Sequence, residues 1–212
     1  MSGKNTYIMG YGGSSNFSTF ADIPSYVTAQ GDNTILVYPG TYTAPTGVEW
    51  SDLAFIGVGD REEIVINGDM TIANTSTGTL TFENLSFVGS NADATSGVAC
   101  IIKLGAASVP LHFKNVKMSN AEHGVIHNGE ASFATTTKQV VLEYSDLTAV
   151  DQSIVANANV GVSYCTLNTS ANAYFQAGAG GGSPALTVTV LASTSGGSNT
   201  GHNVETVTAL IS

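Results

Sequence analysis

One residue pattern recurs along the chain and restricts its fold more than anything else in the sequence. It reads LAFIGV at residues 53–58, LTFENLSF at 80–87, LHFKNVKM at 111–118, VVLEYSDL at 140–147 and VGVSYCTL at 160–167. TILVYPG at residues 34–40 is an earlier, less regular copy. Each copy opens with strict apolar–polar alternation, the signal of a half-buried strand. A change of phase follows, which predicts a turn into another short strand. The copies start at Leu53, Leu80, Leu111, Val140 and Val160, so they are 27, 31, 29 and 20 residues apart. Spacings in this range belong to solenoids and arrays, and their variation fits coils of constant cross-section with inserted loops. Helical periodicity is nearly absent.

Stacking the copies puts Phe55, Phe82 and Phe113 in one inward column, continued by Leu142 and Val162. Asn84 and Asn115 fall in a second column. Like residues repeating at a strand spacing of ~4.8 Å satisfy each other's amides and pack each other's rings. An antiparallel β-sandwich, the rival reading, gives no reason for the same residue type to return in register. The expected fold is all-β, a single-stranded right-handed parallel β-helix of about six short coils, ~30 Å long.

Both ends of such a stack need cover, because an unpaired strand edge invites aggregation. Residues 1–32 are expected to form an N-terminal arm and cap. Within them residues 14–32 form the cover, with a helical turn over 18–23 that Pro24 ends or kinks. Residues 33–176 are expected to form the β-helix. The AGAGGGS run at 177–183 reads as a flexible linker. It leads into alternating segments at 186–191 and 204–210, expected as a hairpin-like C-terminal arm.

Composition narrows the partners. The chain has 212 residues, 16 acidic and 6 basic, for a formal net charge of −10. Nucleic acid and anionic membranes require clustered Lys and Arg, so neither is an expected partner. No apolar run reaches the length of a signal peptide or a membrane span. The product is therefore expected to be made in a cytoplasm. Cys100 and Cys165 fit no metal or redox spacing and read as buried free thiols.

Residues 20–68 resemble the first coils of the pectin-lyase-like superfamily, pectin methylesterase-like chains included. The resemblance is carried by DNTILVYPGTY at 32–42, by 53–59 and by IVING at 64–68, and extends roughly over residues 20–170. It implies a right-handed parallel β-helix, a fold found in polysaccharide lyases, hydrolases and esterases, and in phage tailspikes and virion proteins.

Enzymes of that superfamily need clustered Asp for calcium or acid–base work, with Arg or Lys to stabilise charge. Here Arg61 is the single arginine, in a GDREE loop, and the paired-Asp motifs are absent. Glu83, Lys114 and Glu143 fall at equivalent outward positions and read as a charge column that supports the stack. Trp50 is the only tryptophan, and a glycan groove would need more aromatic platforms. His123 and His127 have helical metal spacing, but Gly124 and the turn at Asn128 favour a loop.

No enzyme activity, cofactor or metal is therefore expected. The expectation is a non-enzymatic structural protein of a virus particle, a decoration or cement protein on a phage capsid. Its partners would be other virion proteins such as a major capsid protein, or further copies of itself, and its location the virion. The assembly interface is expected at the arms: Tyr7, Ile8, Met9, Tyr11 and Phe17 at one end, and Leu186, Val188, Val190, Val207, Leu210 and Ile211 at the other. The alternatives are a polysaccharide-binding or -cleaving module, such as a reduced tailspike or pectinase-like domain, and a bacterial surface adhesin.

Overall fold

The computed structural model describes residues 5–29, 31–91, 99–103, 109–127, 140–156, 160–167, 175–176, 186–191 and 204–210. In chain order the strands are β1 (Thr6–Met9), β2 (Asn33–Val37), β3 (Gly40–Thr43), β4 (Ser51–Gly57), β5 (Ile64–Asn67), β6 (Met70–Ile72), β7 (Thr77–Glu83), β8 (Ser86–Asn91) and β9 (Ala99–Lys103). They continue with β10 (Leu111–Lys114), β11 (Lys117–His127), β12 (Val140–Glu143), β13 (Asp146–Ala156), β14 (Val160–Ser163), β15 (Thr166–Leu167), β16 (Phe175–Gln176), β17 (Leu186–Leu191) and β18 (Val204–Leu210). A short helix, α1, spans Ser25–Ala29.

The pairing makes a parallel β-solenoid. The first sheet has nine strands in the order β1-β2-β4-β7-β10-β12-β14-β17-β18, and each neighbouring pair is parallel. The second sheet also has nine strands, and it bends. The first part of β11 pairs with β8, and the second part with β9. The bend falls at a register shift between Ser119 and Ala121. Asn120 sits there with φ +57°, in the left-handed region where Asn is tolerated better than most residues. Its side chain donates to the Gly89 carbonyl at 2.7 Å. A Cβ on Gly89 would stand 2.6 Å from that of Ala121, so the corner needs a glycine there.

Alternation becomes a core because every second residue points inward. Phe55, Phe82 and Phe113 are in register and at most 1% exposed. Their rings stack at 5.6 and 5.5 Å, tilted by only 9° and 11°. Leu142 and Val162 continue the column, as expected from the repeats. Leu53, Leu80, Leu111, Val140 and Val160 form a second inward column beside it. From the bent sheet Tyr42, Ile66, Phe87 and Met118 pack against them.

The N-terminal end is closed by residues of its own chain. Asn16 and Phe17 donate backbone N–H groups to the Ile8 carbonyl, the Asn16 side chain accepts from Ile8 N, and Gly10 donates to Phe17. The outer edge of β1 is thus paired. A 3₁₀ turn at Phe20–Asp22 follows. The Asp22 carboxylate accepts from Thr19 N, Thr19 Oγ1 and Ser18 N, which holds its pKa below the usual value. Pro24 ends that turn and then opens α1, because its carbonyl accepts from Val27 and Thr28 while its missing N–H leaves nothing unpaired. Phe20 covers the column from above, 5.4 Å from Phe55 and 6.1 Å from Trp50. Buried Asn33 ties α1 to the first coil through Val27 O at 2.7 Å.

Two expectations about the arms need correction. Met9 and Phe17, expected at an assembly interface, are 0% and 6% exposed within the chain's own core. They lie on the inward side of the edge strand and of the segment folded over it. The C-terminal arm is not a hairpin. β17 runs parallel to β14, and β18 runs parallel to β17, so both continue the first sheet. Twelve residues separate these strands (192–203), enough for the chain to return and start again in the same direction. The linker at 177–183 and Ile211 lie outside the described residues, as do the side chains of Leu186, Val188, Val190, Val207 and Leu210.

Candidate functional site

A column of charged and polar side chains lies where the first sheet turns toward the second. On the sheet's outward face Glu83, Lys114, Glu143 and Ser163 are in register on four successive coils. Lys114 Nζ lies 2.9 Å from Glu83 Oε1, and this hydrogen bond raises the lysine pKa. The pair is substantially exposed, so it contributes little to stability.

One residue further on, the chain turns, and a corner column forms from Asn84, Asn115, Tyr144 and Tyr164. All four have positive φ, between +50° and +58°. In the lower two coils the side chains form an amide ladder. Asn84 Nδ2 donates to the carbonyls of Gly57 and Gly59 at 3.1 and 2.8 Å, and Asn115 Nδ2 donates to Asn84 Oδ1 at 2.7 Å. The approach is so close that a Cβ on Gly57 would lie 2.0 Å from the Asn84 carbonyl oxygen. In the upper two coils the ladder gives way to rings. Tyr144 and Tyr164 stack at 5.1 Å with 6° between their planes. They remain 55% and 51% exposed.

Arg61 braces the lower half of this corner. It sits in a 3₁₀ turn at Arg61–Glu63 capped by Asp60. Its guanidinium donates to Asn115 Oδ1 at 3.1 Å and reaches the Val116 carbonyl at 3.4 Å. Its own carbonyl accepts from Ser86 Oγ. Lys117 meets Glu62 at 2.8 Å across the same gap. The single arginine is therefore held as a tie between coils.

His123 and His127 lie on β11, which corrects the loop expected there. Gly124 fits an extended strand in a solenoid wall as readily as a loop. His123 is buried beside Glu122, 3.6 Å away. Among the described residues no group of three metal-binding side chains is found. Cys100 and Cys165 are buried free thiols. Burial pushes the Cys100 pKa up to about 12 and raises that of Cys165, so both stay protonated at neutral pH.

A second feature is a groove of about 850 Å³ between the N-terminal cover and the first coils. Thr19, Thr43, Thr46, Ser51 and Thr75 supply hydroxyls, and Glu49 supplies its carboxylate. Phe20 and Trp50 form the floor but are only 6% and 3% exposed.

Of the residues expected to matter, the structure unites the two ladders and the charge column. It buries Met9 and Phe17, and leaves Tyr11 half exposed with its ring 4.5 Å from Tyr38. Tyr7 and Ile8 are partly buried, and Tyr7 lies 5.5 Å from Phe17. The Tyr144–Tyr164 pair is not among the residues the sequence singles out. Its signal lies in the repeats themselves, where the residue after Glu83 and Lys114 is Asn and the residue after Glu143 and Ser163 is Tyr.

No protein-family model matches the chain, and no curated protein shows significant similarity to it.

Proposed function

We propose that this chain is a non-enzymatic structural protein of a virus particle, a pectin-lyase-like β-helix serving as a rigid decoration or cement element on a phage capsid. The observation that carries the reading is how the charged side chains are used. Arg61, Glu62, Glu83, Lys114 and Lys117 engage one another or other coils, which leaves them poorly placed for acid–base work on a substrate. A stiff stack of parallel strands with a formal net charge of −10 suits a projecting body that stays soluble and meets basic partners. The strands β17 and β18 fit the same role. They extend the first sheet to its C-terminal edge, and an edge strand pairs readily with a partner sheet.

The test is the protein content of purified particles. The chain should be present at a fixed copy number per particle and should cross-link to the major shell protein. Its absence from particles would sink the reading.

A neutral-oligosaccharide-binding module is the second reading, favoured by the hydroxyl-lined groove beside Glu49. Saturable binding of a neutral hexasaccharide, lost on Glu49→Ala together with Thr46→Ala, would support it. Release of reducing sugar abolished by a carboxylate substitution would turn it into an enzyme.

A further inference from the structure

We propose that the exposed Tyr144–Tyr164 pair, with the neighbouring carboxylate of Glu143, receives arginine side chains of a basic protein partner. The starting point is a choice of residue that folding does not explain. Tyr144 and Tyr164 hold φ at +51° and +53°. A bulky L-residue is strained there, whereas Asn is tolerated better. The same corner uses Asn in the two coils below, at φ +58° and +50°, and the bend at Asn120 uses it again. Burial does not repay the strain, since both residues remain about half exposed. Strain of this kind at an exposed site points to a contact outside the chain.

The chemistry of the surface selects the contact. Two near-parallel rings present π-faces, edges and phenolic oxygens side by side. Glu143 and Ser163 lie in register immediately before them on the outward face. Lys114, in register with Glu143, makes its close contact with Glu83 instead, so Glu143 feels Lys114 and His112 only at longer range. Aromatic faces next to a carboxylate without a close ion-pair partner suit a guanidinium, which stacks on rings and bonds carboxylates in the same plane. The net charge weighs against polyanions: at −10 the chain as a whole repels acidic polysaccharide and nucleic acid. Tyrosine and arginine are also the residues that concentrate binding energy at protein interfaces.

The inference rests on the assembly reading only in requiring a protein partner, and its test needs no particle. The full chain, labelled with 3-fluorotyrosine, is titrated with hexa-arginine, with hexa-lysine and with a neutral hexasaccharide at physiological salt. The arginine peptide should bind about tenfold more tightly than the lysine peptide and should shift the fluorine resonances of Tyr144 and Tyr164. The double variant Tyr144→Asn/Tyr164→Asn should abolish that preference while its Tm stays the same or rises, because Asn suits the backbone. Glu143→Gln should weaken arginine binding more than lysine binding. Equal affinities for the two peptides would overturn the proposal, as would a preference that survives in the double variant. A Tm several degrees lower in that variant would show that the stack is structural. Shifts of the same two resonances by the hexasaccharide alone would make the pair a sugar platform. Particle content remains a separate measurement, so the assembly reading can fail while this surface stands, and the reverse.

Discussion

The coils around residues 51–116 and those from residue 140 onward build the same corner in opposite ways. In the lower coils the aromatic rings point inward, as Phe55, Phe82 and Phe113, and the corner carries amides. In the upper coils the inward positions are Leu142 and Val162, and the rings of Tyr144 and Tyr164 stand at the corner. The lower arrangement is self-sufficient. Rings are fully buried, each amide has a partner, and Arg61 closes the series. The upper arrangement leaves apolar surface in water at a strained backbone. The contrast separates a region built for cohesion from one built to be touched.

The sharpest way to break this contrast is in the core. Phe82→Ala should lower stability by ~3–5 kcal/mol, because it removes the middle ring of the stack and leaves a cavity the neighbours cannot fill. Denaturant midpoints would measure it. Leu142→Ala should cost less, at the lower end of its ~2–5 kcal/mol class. A larger loss for Leu142 would place the weight of the core in the upper coils and dissolve the distinction.

The corner offers a smaller effect. Asn115→Ala deprives both Asn84 and Arg61 of a partner and should cost ~1–3 kcal/mol. Tyr144→Ala removes one exposed ring from a stacked pair and should cost at most ~1 kcal/mol. Equal losses at the two positions would mean that the tyrosines are as structural as the amides. Thermal melts of the two variants under one buffer decide it.

The same comparison can be read in sequence terms. Alternation and copy number were enough to place the ladders, since a period of two leaves each residue only two faces and register must match like with like. Phe55, Phe82, Phe113, Asn84 and Asn115 were legible for that reason. Strand direction at the C-terminal end was not. LTVTVL and VETVTAL alternate identically whether they pair parallel or antiparallel, and a twelve-residue connection serves a crossover as well as a loose hairpin. The burial of Met9 and Phe17 was hidden too, because it depends on a segment folding back across β1. The tyrosines were in plain view within the repeat, but an alignment read for identity passes over the column where the residue type changes.

The smallest effect lies at the N-terminal cover. Its hydrogen bonds depress the Asp22 carboxyl below the usual aspartate value. Such a group stabilises the fold above that value, and the contribution disappears as pH falls through the lower folded one. Acid melts of the native chain should therefore show an additional loss in this window that Asp22→Asn lacks. Indistinguishable acid limbs would mean the cover does not depend on that carboxylate.

The Arg61 tie has a consequence for how the molecule comes apart. A solenoid ordinarily behaves as a linear array in which each unit senses only the units above and below it, so it can fray one rung at a time. Arg61 and the Glu62–Lys117 pair skip a rung, joining the turn after β4 to the turn after β10 across the coil between. Next-nearest-neighbour coupling of this kind fuses three rungs into one cooperative block. Unzipping from the C-terminal end should then proceed stepwise until it meets that block, which has to yield as a unit and works as a ratchet stop inside an otherwise divisible stack.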